Sequence, residues 1–267
     1  MNKILRIAYE GVFMFVFSRY SVVIVTFLVA ILVSSVSIVA APGPPVAEEE
    51  QSAEWYYSKG TYKSSHGEFE EAVVLLKKAV SLRPGFAYAY NDLGAAYYEL
   101  RQLKPAEEAL KKAIAINPAF AAAYKNLAMT YGALENLEME IETYKKVVKL
   151  NAADIDAYYN IGVAYSRSSK YKEAAAAYSE VVRLSPHDAD AFFNLGVTYE
   201  KLEKPDKAAS AYLSVLEINP GATDARYNLG VLYYRIGKEK EGLQQYEILN
   251  KQDPALAVRL KLKQKSM

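Results

Sequence analysis

The chain has 267 residues, 32 Lys and Arg against 31 Asp and Glu, two His and no Cys. Near-neutral charge gives no electrostatic footprint for nucleic acid, and the missing cysteines exclude disulfides, thiolate nucleophiles and cysteine-bound metals. A hydrophobic fraction of 52% suffices for a continuous core.

Residues 1–19 form a short N-terminal segment carrying Lys3, Arg6 and Arg19. Its apolar stretch 11–17 is too short to span a bilayer by itself and lies at the interface or extends the anchor. Residues 20–41 carry no charge, and a helix of that length measures about 33 Å, against about 30 Å of hydrocarbon core. A transmembrane signal anchor is expected there. No Lys or Arg follows until Lys59, so the N-terminus is expected in the cytoplasm and the remainder outside it, in the periplasm of a bacterium. The alternative is a cleaved signal peptide and a secreted product. The long region before the apolar run favours the anchor, as do Ile38 and Pro42, which flank the two candidate cuts unfavourably. Lipid attachment has no cysteine to use. Residues 42–52, with Pro42, Pro44, Pro45 and Glu48 to Glu50, read as a linker reaching up to about 30 Å.

From there the sequence repeats every 34 residues, over 53–86, 87–120, 121–154, 155–188, 189–222 and 223–256. The eighth place of each unit is small: Gly60, Gly94, Ala128, Gly162, Gly196 and Gly230. Ala72, Ala106, Ala174, Ala208 and Gly242 occupy the twentieth, where the third unit has Glu140. Pro84, Pro118, Pro186, Pro220 and Pro254 stand at the thirty-second, and tyrosines recur at the eleventh and twenty-fourth. Spacings of three and four, as in Tyr158, Ile161, Gly162 and Tyr165 and again in Ala174, Tyr178, Val181 and Val182, predict two helices per unit. The turn between them is expected over 168–172, and Pro186 stops the second helix.

At these residues the chain closely resembles the tetratricopeptide repeat family. The resemblance implies an all-α fold, a right-handed superhelical solenoid of six helix-turn-helix repeats whose first helices line an inner groove. With the expected anchor, one transmembrane helix precedes it. Lys59 and Lys63 depart from the pattern in the first unit, as expected where one side is uncovered, and Glu140 is expected to mark a looser helix pair. Residues 257–267 alternate Leu and Val with Arg259, Lys261 and Lys263, and are expected to cap the last unit or form a basic tail.

The resemblance also places the second, fifth, sixth, ninth, twelfth and thirteenth residues of each first helix toward the groove. The sixth holds Asn126, Asn160, Asn194 and Asn228, whose amides both donate and accept and suit an extended peptide backbone. Tyr159, Phe193 and Tyr227 stand at the fifth place, Tyr98 and Tyr234 at the twelfth, and Arg167, Lys201 and Arg235 at the thirteenth. The cations form a one-sided stripe suited to acidic segments, with Asp156, Asp190 and Asp224 available to neutralise it. The carboxylate clamp of chaperone-binding members is incomplete, since Lys125 is followed by Met129, Asn160, Asp190 and Asn194 at its required places.

No catalytic set, phosphate loop, metal site or cofactor motif is found, and His66 and His187 read as solvated turn residues. The expected function is a non-enzymatic, membrane-anchored adaptor that binds protein or peptide partners in its groove, in assembly of an envelope complex. The alternative is a self-assembling, homo-oligomeric scaffold.

Overall fold

The computed structural model describes residues 52–266. The expected anchor at 20–41 and most of the 42–52 linker lie outside them; among the described residues no helix is long and apolar enough to cross a membrane. Thirteen helices and no strand occur there: α1 (Ala53–Ser65), α2 (Phe69–Leu82), α3 (Ala87–Glu99), α4 (Leu103–Ile116), α5 (Ala121–Ala133), α6 (Leu137–Leu150), α7 (Ile155–Arg167), α8 (Tyr171–Leu184), α9 (Ala189–Lys201), α10 (Pro205–Ile218), α11 (Thr223–Arg235), α12 (Glu239–Gln252) and α13 (Pro254–Lys265). Odd- and even-numbered helices up to α12 pair in sequence, each pair stacks on the next, and α13 packs on α11 and α12.

Small residues at the eighth place set the distance within each pair. A Cβ on Gly162 or Gly196 would stand 2.7 Å from the ring of Tyr178 or Tyr212, so the ring of the second helix occupies the space a side chain would need. In the first two pairs Leu76 and Leu110 take the same place. These side chains are almost fully buried, each contributing about 1.5–3 kcal/mol by removal from water. The eleventh-place tyrosines work between pairs, where Lys77, Lys111 and Lys145 of the second helices lie 5.5, 5.9 and 5.5 Å from the rings of Tyr97, Tyr131 and Tyr165.

Glu140 does not loosen its pair. Gly132 on the facing helix leaves a gap that the Glu140 carboxylate fills, at 2.9 Å from where a Cβ would stand, and Arg167 reaches it at 3.5 Å. Lys63 answers to its uncovered end by pairing with Glu68 and Glu71, while Lys59 lies over the Trp55 ring. In α13, Leu256, Ala257 and Leu260 are buried and Val258 and Leu262 exposed, so the alternating pattern is that of a helix with one covered face.

The turn after α7 is shorter than the sequence suggests, because α8 already begins at Tyr171. One turn geometry serves all six pairs. The amides of Glu68, Gln102, Asn136, Lys170, Lys204 and Lys238 bond back to the carbonyls of Lys63, Tyr97, Tyr131, Tyr165, Tyr199 and Tyr233. That six-residue closure requires a left-handed residue just before the donor. Gly67 and Gly237 supply it at the outer pairs, whereas Arg101, Glu135, Ser169 and Glu203 adopt φ of 55 to 58° with a side chain in place. The left-handed conformation costs such residues about 1–2 kcal/mol, and glycine's extra unfolded-state freedom returns about 0.5–1 kcal/mol of that. Glu135→Gly and Glu203→Gly are therefore each expected to stabilise the array by roughly 0.5–1 kcal/mol, read as higher urea midpoints.

Candidate functional site

Along each first helix the second, sixth, ninth and thirteenth places lie within one stripe. Two corresponding clefts open on this face. One is lined by Ala95, Tyr98, Glu99, Asn126 and Met129, between α3 and α5. The other, about 440 Å³, lies between α9 and α11 and is lined by Val197, Glu200, Lys201, Glu203, Tyr212, Asn228 and Arg235. Both combine the ninth, twelfth and thirteenth places of one unit with the sixth of the next. Seven of the sequence-predicted groove residues thus meet in pairs or triplets: Tyr98 with Asn126 in the first cleft, and Lys201, Asn228 and Arg235 in the second, with Tyr159 joined to Asn194 between them.

The asparagines have structural work that the sequence did not disclose. Asn126 donates to Asn91 Oδ1 of the preceding first helix at 2.9 Å, and Asn194 donates to the Tyr159 hydroxyl at 2.8 Å. Each reaches from a sixth place to the fifth place of the previous unit, stapling neighbouring first helices. Asn160 bonds the Asp156 carbonyl in its own helix, and Asn228 makes a long 3.5 Å contact to the Tyr212 hydroxyl. Every amide keeps its side-chain oxygen and one N–H beyond these bonds. Asn91 also donates to Asp92, whose carboxyl is pushed above its usual range by burial.

The aromatic set divides. Tyr159 and Phe193 are half-buried and lean on Tyr178 and Tyr212 with ring centroids 5.8 Å apart, and Tyr227 lies beneath the Arg259 guanidinium at 5.6 Å. Burial raises the Tyr159 hydroxyl's pKa, so it stays protonated as it accepts from Asn194. Tyr234 is not in the groove: it is 8% exposed, and its ring fills the gap above Gly242, the one glycine at a twentieth place. Burial there raises its pKa as well.

The cation stripe is largely compensated, and by different partners from those expected. Arg167 pairs with Glu140 at 3.5 Å and Arg235 with Glu200 at 2.6 Å. Glu200 also accepts from the Tyr212 hydroxyl at 2.7 Å, which together with ring burial drives that phenol well above its ordinary pKa. Lys201 is exposed and has no ion pair among the described residues. Asp156 does not serve this stripe; it binds Lys125 at 3.1 Å, and Asp154 binds the same ammonium at 3.2 Å. Lys125 is thereby occupied within the fold. His66 stacks on Tyr62 in an exposed turn, His187 is exposed after Pro186, and no group of three or more acidic or histidine residues among the described residues is placed to hold a metal.

Val163, Val197 and Val231 are half-buried at the ninth place, which the sequence pointed toward the groove without singling these residues out; Val197 lines the second cleft. Glu200 was hidden differently, since its partners come from two other helices.

Tetratricopeptide repeat models match residues 65–130, 121–154 and, twice, the span from 159 to 257, together more than half of the chain. The chain belongs to the tetratricopeptide repeat family. No curated protein matches it by sequence. Among solved structures, YrrB, a tetratricopeptide protein described as having an unusual peptide-binding site, is similar with TM-score 0.60 and 27% identity, over 67% of this chain and 93% of its own. MamA is similar with TM-score 0.61 and 25% identity, over 64% and 93%. A MamA structure from Desulfovibrio magneticus RS-1 shares the fold at TM-score 0.59 and 20% identity, over 64% and 96%.

Glu140 of α6, which holds Arg167 from behind this face, gives a pH signature. Burial raises its pKa above the unfolded value, more than Arg167 lowers it. The folded state therefore holds the proton more tightly, and this contribution to stability is complete below about pH 4, the unfolded range, and is lost as pH rises through the folded pKa. Glu140→Gln keeps it at every pH. The melting temperature of the wild type is expected to fall relative to that variant from pH 4 to pH 7; parallel curves would refute the assignment.

Proposed function

We propose that this chain is a protein-interaction scaffold that holds an extended protein segment along the inner face of its first helices. The observation that carries this reading is the recurrence of one cleft design at two junctions, combining an asparagine amide, an aliphatic or thioether side chain and a charged rim. The likeness to YrrB, a protein with a peptide-binding site, supports it. Backbone recognition by the remaining asparagine groups gives about 0.5–1.5 kcal/mol per bond, so the aromatic and valine surfaces must supply much of a micromolar affinity of about 8 kcal/mol. The inner face is then broad in what it accepts and modest in affinity.

We further propose that residues 20–41 anchor the chain, with the repeats on the extracytoplasmic side, gathering envelope proteins into a complex. The uncharged run and the cations before it support this topology. Retention of full-length protein in carbonate-washed membranes is expected; release of a shortened chain would favour cleavage instead.

Asn160 and Lys201 have the least structural work on this face: one bonds only its own helix, the other has no ion pair. In-cell crosslinking of full-length protein is therefore expected to lose its partners in the Asn160→Ala/Lys201→Glu variant, without a change in melting temperature. An unchanged partner set, or crosslinks only between copies, would overturn the groove reading, and the second result would favour the self-assembling scaffold.

A further inference from the structure

The helix that packs on the last repeat has two apolar faces, and the fold covers one of them. Asp253 accepts from the Leu256 amide at 2.9 Å and Pro254 stands in the first turn, which starts α13. At about 100° per residue, Leu256, Ala257 and Leu260 share one stripe. They are buried with Tyr234 and Leu249. Ala255, Val258 and Leu262 fall on the opposite side, where Val258 is 56% and Leu262 62% exposed. A helix that only capped a solenoid would turn polar residues outward, as terminal units do for solubility.

Cations occupy both borders between these stripes. Arg259 and Lys263, one turn apart, follow one edge, and Lys261 and Lys265 the other. Arg259 lies over the Tyr227 ring of α11 at 5.6 Å and Lys261 over the Tyr246 ring of α12 at 5.4 Å, so the two borders flank the covered face on either side. All four cations are exposed, and none has an ion pair among the described residues. Glu239, the α12 acid that meets α13, accepts instead from the uncharged Gln264 at 3.1 Å. Among the described helices only α13 combines several cations with no acid.

We propose that the outer face of α13 docks on an anionic lipid bilayer, with Val258 and Leu262 entering the acyl boundary and the four cations at the headgroups. The inference is independent of the groove reading, whose face is built by the first helices. Lysine and arginine stems run along apolar surface and set their charge at its edge. An apolar stripe edged on both sides by cations therefore matches a plane that is apolar within and anionic at its surface, with the helix lying parallel to it. A protein groove would need acids along both rims. The α13 of a second copy brings only further cations, so two such faces repel.

The chain has no cysteine, so Ala255→Cys gives a single attachment point for an NBD fluorophore on the exposed stripe. Full-length protein is placed in nanodiscs of phosphatidylcholine alone, or mixed in equal parts with phosphatidylglycerol, with brominated acyl chains in both. The probe reports on α13 alone, so insertion through residues 20–41 does not imitate docking. In anionic discs its emission is expected to shift to the blue and to be quenched by the brominated chains; in neutral discs it should remain that of a water-exposed probe. Lys263→Gln/Lys265→Gln is expected to lower the docked-to-free ratio about 25-fold, a factor of about five for each cation. Leu262→Ser should lower it about tenfold. Lys263 and Lys265 touch no ring or acid among the described residues, so the fold is not at stake. Equal emission in the two kinds of disc, or an anionic shift untouched by either variant, would overturn the proposal. A blue shift that appears only as protein concentration rises, without quenching by brominated lipid, would overturn it in favour of a second copy on this face.

Discussion

The close approach of paired helices at the eighth place governs the rest of the structure. Where Gly162 and Gly196 present no side chain, the rings of Tyr178 and Tyr212 lie directly against the backbone of the facing helix. That contact fixes the depth of each pair, and depth fixes how squarely one pair sits on the next. Each pair touches chiefly its sequence neighbours, so stability accumulates from local contacts and junctions. The order of the inner face follows from the same contact, since a shift within one pair would displace its stripe relative to the next.

Across the junctions, polar side chains do work that apolar packing leaves undone. Asn91 with Asn126, Tyr159 with Asn194 and Glu200 with Arg235 each join first helices one unit apart. These bonds lie on the surface proposed to hold ligand, and they position the groups of that face. An asparagine tied through one N–H is oriented before ligand arrives, and its remaining donor and acceptor require less ordering on binding. Asn126 and Asn194 are thus held in place by the fold rather than left as free amides.

The repeating fold was legible because its determinants recur at one interval. Small residues, tyrosines and prolines at fixed places report helix contacts made within a unit, and a single sequence contains several copies of that message. What the sequence concealed depends on departures from the repeat. Glu140 looked like a packing fault because its compensation, Gly132, lies on another helix at a place with no consistent residue. Tyr234 looked like its groove counterpart Tyr98, yet Gly242 admits the ring to the core. The charge stripe was misread for a similar reason, because Glu140 and Glu200 stand at places where other units carry no acid.

The two halves of the array are joined differently. Lysines from α2, α4 and α6 lie over tyrosines of the following units, so the junctions from the first unit to the fourth carry cation–π contacts on their outer side. At the corresponding place the fourth and fifth units have Ser179 and Leu213, which supply no cation. The junctions among α7, α9 and α11 carry the Tyr159–Asn194 and Glu200–Arg235 ties beside their apolar contacts, so there the polar bonds stand on the first-helix face alone.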